Sequence, residues 1–151
     1  MQYETTTMQR EAMAWATPEA AEKAFYESFE AGDLPAMMRV WADTPDICCI
    51  HPMGKALRGH AAVREGWEGI FASGQRLNFV LESVQWQNTG DLAISVVLEH
   101  IRVDGDTRPR PPMIATNIYR RTDLGWQMLL HHASPAVVEV TRDNPGAQVL
   151  H

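Results

Sequence analysis

The sequence predicts an α+β domain, with helices first and then a curved antiparallel sheet wrapped on them as a cone enclosing one pocket. Three observations carry this. As far as Phe71 the apolar residues recur at helical spacing. From Leu77 onward the pattern changes to strand-like runs. Those runs are separated by short turn sequences, so neighbours in sequence pair as an antiparallel meander.

The first helix opens at Thr17, which can cap it, with Pro18 at a position proline tolerates and Glu19 at the positive end. Ala21, Ala24, Phe25, Ser28 and Phe29 form its stripe, and it stops at Ala31-Gly32, where glycine accepts the left-handed conformation. Asp33 restarts a short helix whose buried stripe is Leu34, Met37, Met38 and Trp41. A strand is expected from Ile47 to His51, ended by Pro52 and Gly54. A third helix follows from about His60, with Val63, Trp67, Ile70 and Phe71 on its apolar face. LNFVLESVQW, LAISVVLEHIRV, MIATNIYRR and WQMLLHHAS then read as strands. NTGD and TDLG between them are tight-turn chemistry, and DGDTRPRPP is a longer, stiff loop. After Pro135, AVVEV could add a strand and the remainder reads as loose chain. Wide strands wrapped over a helix make a cone, and its open end is a natural ligand pocket.

At 151 residues the chain is one domain's worth, with 45% hydrophobic and 21% charged residues. A formal net charge of -6 argues against nucleic acid, which needs clustered Lys and Arg. Arg108, Arg110, Arg120 and Arg121 are the one local concentration, broken by prolines, and read as a solvated face. No apolar run approaches the roughly 20 residues of a membrane helix, and no secretory signal is visible. Cys48 and Cys49 are adjacent, and a bridge between neighbours is strained, so free thiols and a cytoplasmic location are expected.

The stretch FYESFEAGDLPAMMRVWADTPDICCIHPMGKALRGHAAVREGWEGIF resembles the opening of ketosteroid isomerase-like and SnoaL-like proteins of the nuclear transport factor 2-like superfamily. Those share a helix ending in Ala-Gly-Asp, a short amphipathic helix, a strand ending in X-Pro-X-Gly and a Gly-initiated helix. ATNIYRRTDLGWQMLLHHASP is similar to their closing strand pair. The resemblance implies a domain over 17–136, between a tail or loose helix at 1–16 and a tail at 137–151. It implies fold more than activity, since this fold hosts isomerases, cyclases, dehydratases and non-catalytic modules. In ketosteroid isomerases the residue before Pro-X-Gly is an aspartate base; here it is His51. The tyrosine that holds the oxyanion there falls at Phe25, and the adjacent Tyr26 is turned by about 100°. Loss of that donor argues against steroid isomerisation.

His51 is the leading candidate for acid/base chemistry, because a histidine pKa near neutral suits proton transfer. The plainer alternative is a strand-end residue satisfied by backbone. Strict alternation puts His132 on the apolar side with Trp126, Met128 and Leu130, and sends His131 outward. His132 is therefore the second catalytic candidate, against the alternative of a hydrogen-bonded core histidine. Asn117 and Tyr119 share one strand face, and the amide needs a partner in ligand, His132 or backbone. Trp41 and Trp67 would wall the pocket, though plain core is the simpler role for both. Arg64 could meet an anionic ligand or sit in solvent. No metal and no cofactor are expected, since His51, His100 and His132 lack close ligand spacing, and phosphate-loop and nucleophile-elbow motifs are missing.

Two functions remain open. One is an isomerase, cyclase or dehydratase using His51 as acid/base on a small apolar or cyclic ligand. The other is a non-catalytic binding or oligomerisation module like the calcium/calmodulin-dependent kinase association domain. Either way a homodimer is expected, formed on a partly apolar sheet face carrying Val97, Ile101 and Leu129.

Overall fold

The computed structural model describes residues 15–137. AVVEV beyond Val137 and most of both expected tails lie outside the described residues. Helix α1 (Pro18–Ala31) forms as its sequence dictates, with the Thr17 hydroxyl accepting from Ala20 N–H and Gly32 closing it at φ 63°. Asp33 caps α2 (Leu34–Val40) through Ala36 N–H. Strands β1 (Cys48–Ile50) and β2 (Leu57–Arg58) precede α3 (His60–Ala72). Four long strands follow: β3 (Leu77–Thr89), β4 (Leu92–Val103), β5 (Met113–Thr122) and β6 (Gly125–Pro135).

The sheet order is β2-β1-β6-β5-β4-β3. β3 to β6 form the antiparallel meander that their short turns require. The sheet as a whole is mixed, because β1 docks parallel on β6 after the chain has passed through two helices. That long-range pairing carries no local sequence signal. Curved and unclosed, the sheet holds the helices on one face and leaves the other open, giving the cone.

Both long hairpins carry a β-bulge, at Ser83/Gln85 on β3 and at Ile118/Tyr119 opposite β6. In the second, Tyr119 pairs with Met128 and Ile118 with Leu130, so Leu129 is the extra residue. One extra residue reverses the alternation beyond it. His131 is therefore buried at 1% exposure and His132 faces solvent, the opposite of the sequence expectation.

The inner face of β4 carries Ala93, Ser95, Val97 and Glu99, all buried. Val97 and Ile101, expected on the outer face, follow this inner alternation, and Leu129 is the bulge residue. The outer face instead presents Ile94, Val96 and Leu98 beside Ile114, Ile118 and Leu130, each half-buried. Trp15, placed by sequence in the loose N-terminal segment, is tied down, its carbonyl accepting from Trp126 N–H at 2.9 Å. Each arginine of the local cluster meets a carboxylate: Arg108 and Arg110 on Asp106, Arg120 on Asp46, Arg121 on Asp91.

Candidate functional site

Helix α1 directs Glu22, Phe25 and Tyr26 at the sheet, three and four residues apart and so on one face. Beneath them lie Ser95 and Glu99 of β4, Asn117 and Tyr119 of β5, and His131 of β6, every one buried. These polar side chains bond to one another in the apolar interior. Glu22 accepts from Asn117 Nδ2 at 2.8 Å, Tyr119 hydroxyl at 2.9 Å and Ser95 hydroxyl at 3.0 Å. Tyr26 hydroxyl donates to Glu99 at 2.6 Å and accepts from Asn117 Nδ2 at 3.1 Å. His131 Nδ1 meets Asn117 Oδ1 at 2.6 Å. Among the described residues no cationic side chain is hydrogen-bonded to either buried carboxyl group, and both are held by neutral donors.

Burial dominates the proton affinities. It pushes Glu99 up to about 7, against the opposing hydrogen bond from Tyr26. It holds the Tyr26 and Tyr119 hydroxyls protonated, helped by the neighbouring carboxylates. His131 is pushed down to about 3 by burial, then by His51 and His132. His51 is lowered by burial as well, and the Cys49 thiol is raised. Burial favours the neutral form of both imidazoles, each with a lone pair able to accept a hydrogen bond.

His51, one residue past β1, is half-buried where the sheet meets α3. Its ring stands edge-on to Trp67 at 4.7 Å and 6.3 Å from His131. Its Nε2 lies 3.5 Å from the Cys49 sulfur. Gly66 matters here, because a Cβ at that position would strike Leu57 and approach His51 Nε2 at 3.9 Å. Phe25 lies 4.8 Å from His131 and 5.6 Å from Trp67, closing the inner side. The buried Trp67 Nε1 has no hydrogen-bond partner among the described residues.

His51, Phe25 and Trp67 gather around His131, which bonds to Asn117, with Tyr119 one layer deeper through Glu22. Trp41 is buried beside Phe25, its ring 6.5 Å away, as part of the packed wall. Arg64 stands apart, exposed and paired with Glu68 on its own helix at 3.4 Å. His132 points away, on the outer face opposite Thr116. His100 is paired with Glu82 at 3.0 Å. Among the described residues no three metal-ligating side chains come together.

Where sequence reasoning expects a pocket, large side chains occupy the interior: Phe25, Met37, Trp41, Trp67 and Tyr119 are each nearly or fully buried. Two clefts lie elsewhere, one of about 710 Å³ at the β4–β5 loop and one of about 300 Å³ beside Trp15, Arg39 and His60. Sequence reasoning also missed Glu22, Glu99 and His131. Glu99 carried a legible signal, since alternation along β4 places it inside with Ser95 and Val97.

Residues 19–138 match the SnoaL-like domain model. This chain belongs to the SnoaL-like domain family. Its cone is the nuclear transport factor 2-like fold. A crystal structure from Thiobacillus denitrificans, named for the calcium/calmodulin-dependent protein kinase type II association domain, is 45% identical, with a TM-score of 0.77 over 82% of this chain and 98% of that one. A structure from Streptomyces avermitilis, named for a dehydratase of the nuclear transport factor 2-like family, is 32% identical, with a TM-score of 0.72 over 80% of this chain and 94% of that one. The F-box protein SKIP8 of Arabidopsis thaliana is 27% identical over 106 residues, 70% of this chain; the match spans only 44% of that protein's length. Among the described residues no helix of this SnoaL-like domain is long and apolar enough to cross a membrane.

Proposed function

We propose that this SnoaL-like domain binds a small apolar or cyclic ligand where His51 meets Trp67 and His131, and that His51 serves there as acid/base for an isomerisation, cyclisation or dehydration. The observation that carries the reading is the pair of neutral imidazoles 6.3 Å apart beside Trp67, whose buried N–H has no partner among the described residues. A ligand acceptor would satisfy that N–H while an imidazole takes or returns a proton. His51 keeps its place in the pair, and His131 takes that of His132 as its inner member. The dehydratase name of the Streptomyces structure agrees with this class of chemistry. Native mass spectrometry of gently purified protein is expected to show a retained small-molecule mass, lost in His51→Ala. An adduct retained equally by both proteins would remove His51 from the site.

A second reading is favoured by the filled interior and by the similarity to the Thiobacillus structure: an assembly module without chemistry. A ring larger than a dimer, free of any adduct in the same spectrum, would establish it over the first.

The proposed partner under the first reading is a second copy of the chain, seated on the outer sheet face of Ile94, Val96, Leu98, Ile114, Ile118 and Leu130. Val96→Glu is expected to convert a dimer to a monomer in sedimentation at micromolar concentration, with an unchanged far-ultraviolet spectrum. A wild-type monomer under those conditions would sink this assignment.

A further inference from the structure

The polar network in the interior has a direction, set by the groups that can only accept. A carboxylate offers hydrogen-bond acceptors and no donor. The end of the Asn117 side chain that faces Glu22 must therefore be its NH2 group, 2.8 Å from Oε1. Tyr26 leads to the same answer by another route. With Glu99 ionised, the Tyr26 hydroxyl proton goes to that carboxylate at 2.6 Å, so only its lone pairs face Asn117, 3.1 Å away. With the NH2 group committed twice, the Asn117 carbonyl oxygen is the atom left for His131 at 2.6 Å. A carbonyl oxygen only accepts, so Nδ1 of His131 must carry the proton.

We propose that Glu22 and Tyr26 are positioning residues that hold His131, through Asn117, in the tautomer with its proton on Nδ1 and its lone pair on Nε2. An isolated imidazole prefers neither nitrogen strongly enough to fix a single form in a packed interior, so the selection comes from these partners. Because burial keeps His131 neutral over the whole physiological range, the tautomer decides what the ring can do. At Nε2 it accepts and does not donate. This inference rests on the proposed site, since it gives the inner histidine a defined polarity: a ligand group that reaches it must bring a hydroxyl or N–H donor.

Nitrogen NMR of the imidazole rings, recorded at alkaline pH where Glu99 is ionised, tests the tautomer without any substrate. The wild-type His131 is expected to show a protonated Nδ1 and a bare, pyridine-like Nε2. A proton on Nε2 in the wild type would overturn the proposal, and this measurement needs no variant to fold. In Glu22→Met/Tyr26→Phe both acceptors of the Asn117 NH2 group are gone, and the Nε2–H form is expected to appear. Adding Asn117→Asp, which can only accept, is expected to restore the Nδ1–H form. A tautomer unmoved in the double variant would also overturn the proposal. Absence of a ligand or of turnover would strike the proposed function and leave this result intact.

Discussion

Replacing Trp67 with alanine is expected to lower the unfolding free energy by about 3–5 kcal/mol, the range for emptying a buried aromatic site. Trp67 is fully buried and lies at the centre of the ring cluster. Phe29 stands edge-on to it at 4.7 Å, His51 at 4.7 Å and Phe25 at 5.6 Å, with Phe71 tilted against it at 5.7 Å. These contacts join α1, α3 and the end of β1, so the void would open where three elements meet and none can close it alone. One effect runs the other way. Among the described residues nothing partners the Trp67 Nε1–H, and a buried donor left so costs about 1–3 kcal/mol. Trp67→Phe, which removes that group and keeps a ring, is therefore expected to lose much less than Trp67→Ala. Urea unfolding of the three proteins decides it; equal losses for Phe and Ala would mean that packing is not what the tryptophan supplies.

Acid titration is expected to expose two opposed groups in the interior. Burial raises Glu99 from 4.5 to about 7, so the folded state holds its proton more tightly than the unfolded chain. Its contribution is present below pH 4.5 and is lost as pH rises through 7. Burial lowers His131 from 6.5 to about 3, and its contribution is present above pH 6.5 and is lost as pH falls toward 3. His51 is shifted in the same direction as His131. Between pH 4.5 and 6.5 the two slopes, each at most about 1.4 kcal/mol per pH unit, oppose one another. The wild type is expected to lose less stability there than a protein lacking Glu99, because Glu99 offsets part of what the histidines lose. Glu99→Gln removes that offset and is expected to lose about 2 kcal/mol more than the wild type on going from pH 6.5 to 4.5. Urea midpoints across this interval check it, and a variant that tracks the wild type would show that Glu99 is not held in the protonated form.

Most of the frame was legible from local chemistry. Thr17, Gly32 and Asp33 mark helix ends because capping needs only the residues beside it. The β3–β6 meander follows from short turns. The interior was harder to read because its decisive features are non-local. The bulge at Leu129 leaves no trace in the alternation of WQMLLHHAS, and it alone exchanged His131 for His132. Glu22 is satisfied by Ser95, Asn117 and Tyr119, and Glu99 by Tyr26, partners that all arrive from other elements of the fold. Trp67, expected as a wall of an open space, fills the interior between His51 and Phe25.

The added residue at Leu129 also guards the threading of the last strand. Were β6 to pair without it, counting on from Tyr119 opposite Met128, Leu130 would lie across from Asn117 and His132 across from Ala115. The amide would then face methyl groups and an imidazole would face an alanine, two mismatches in the part of the molecule least able to hydrate them. The slipped pairing keeps the backbone ladder and fails on side-chain polarity. Hydrogen bonding between Asn117 and His131 thus acts as a proofreader of alignment, rejecting a neighbouring frame that hydrophobicity alone would tolerate.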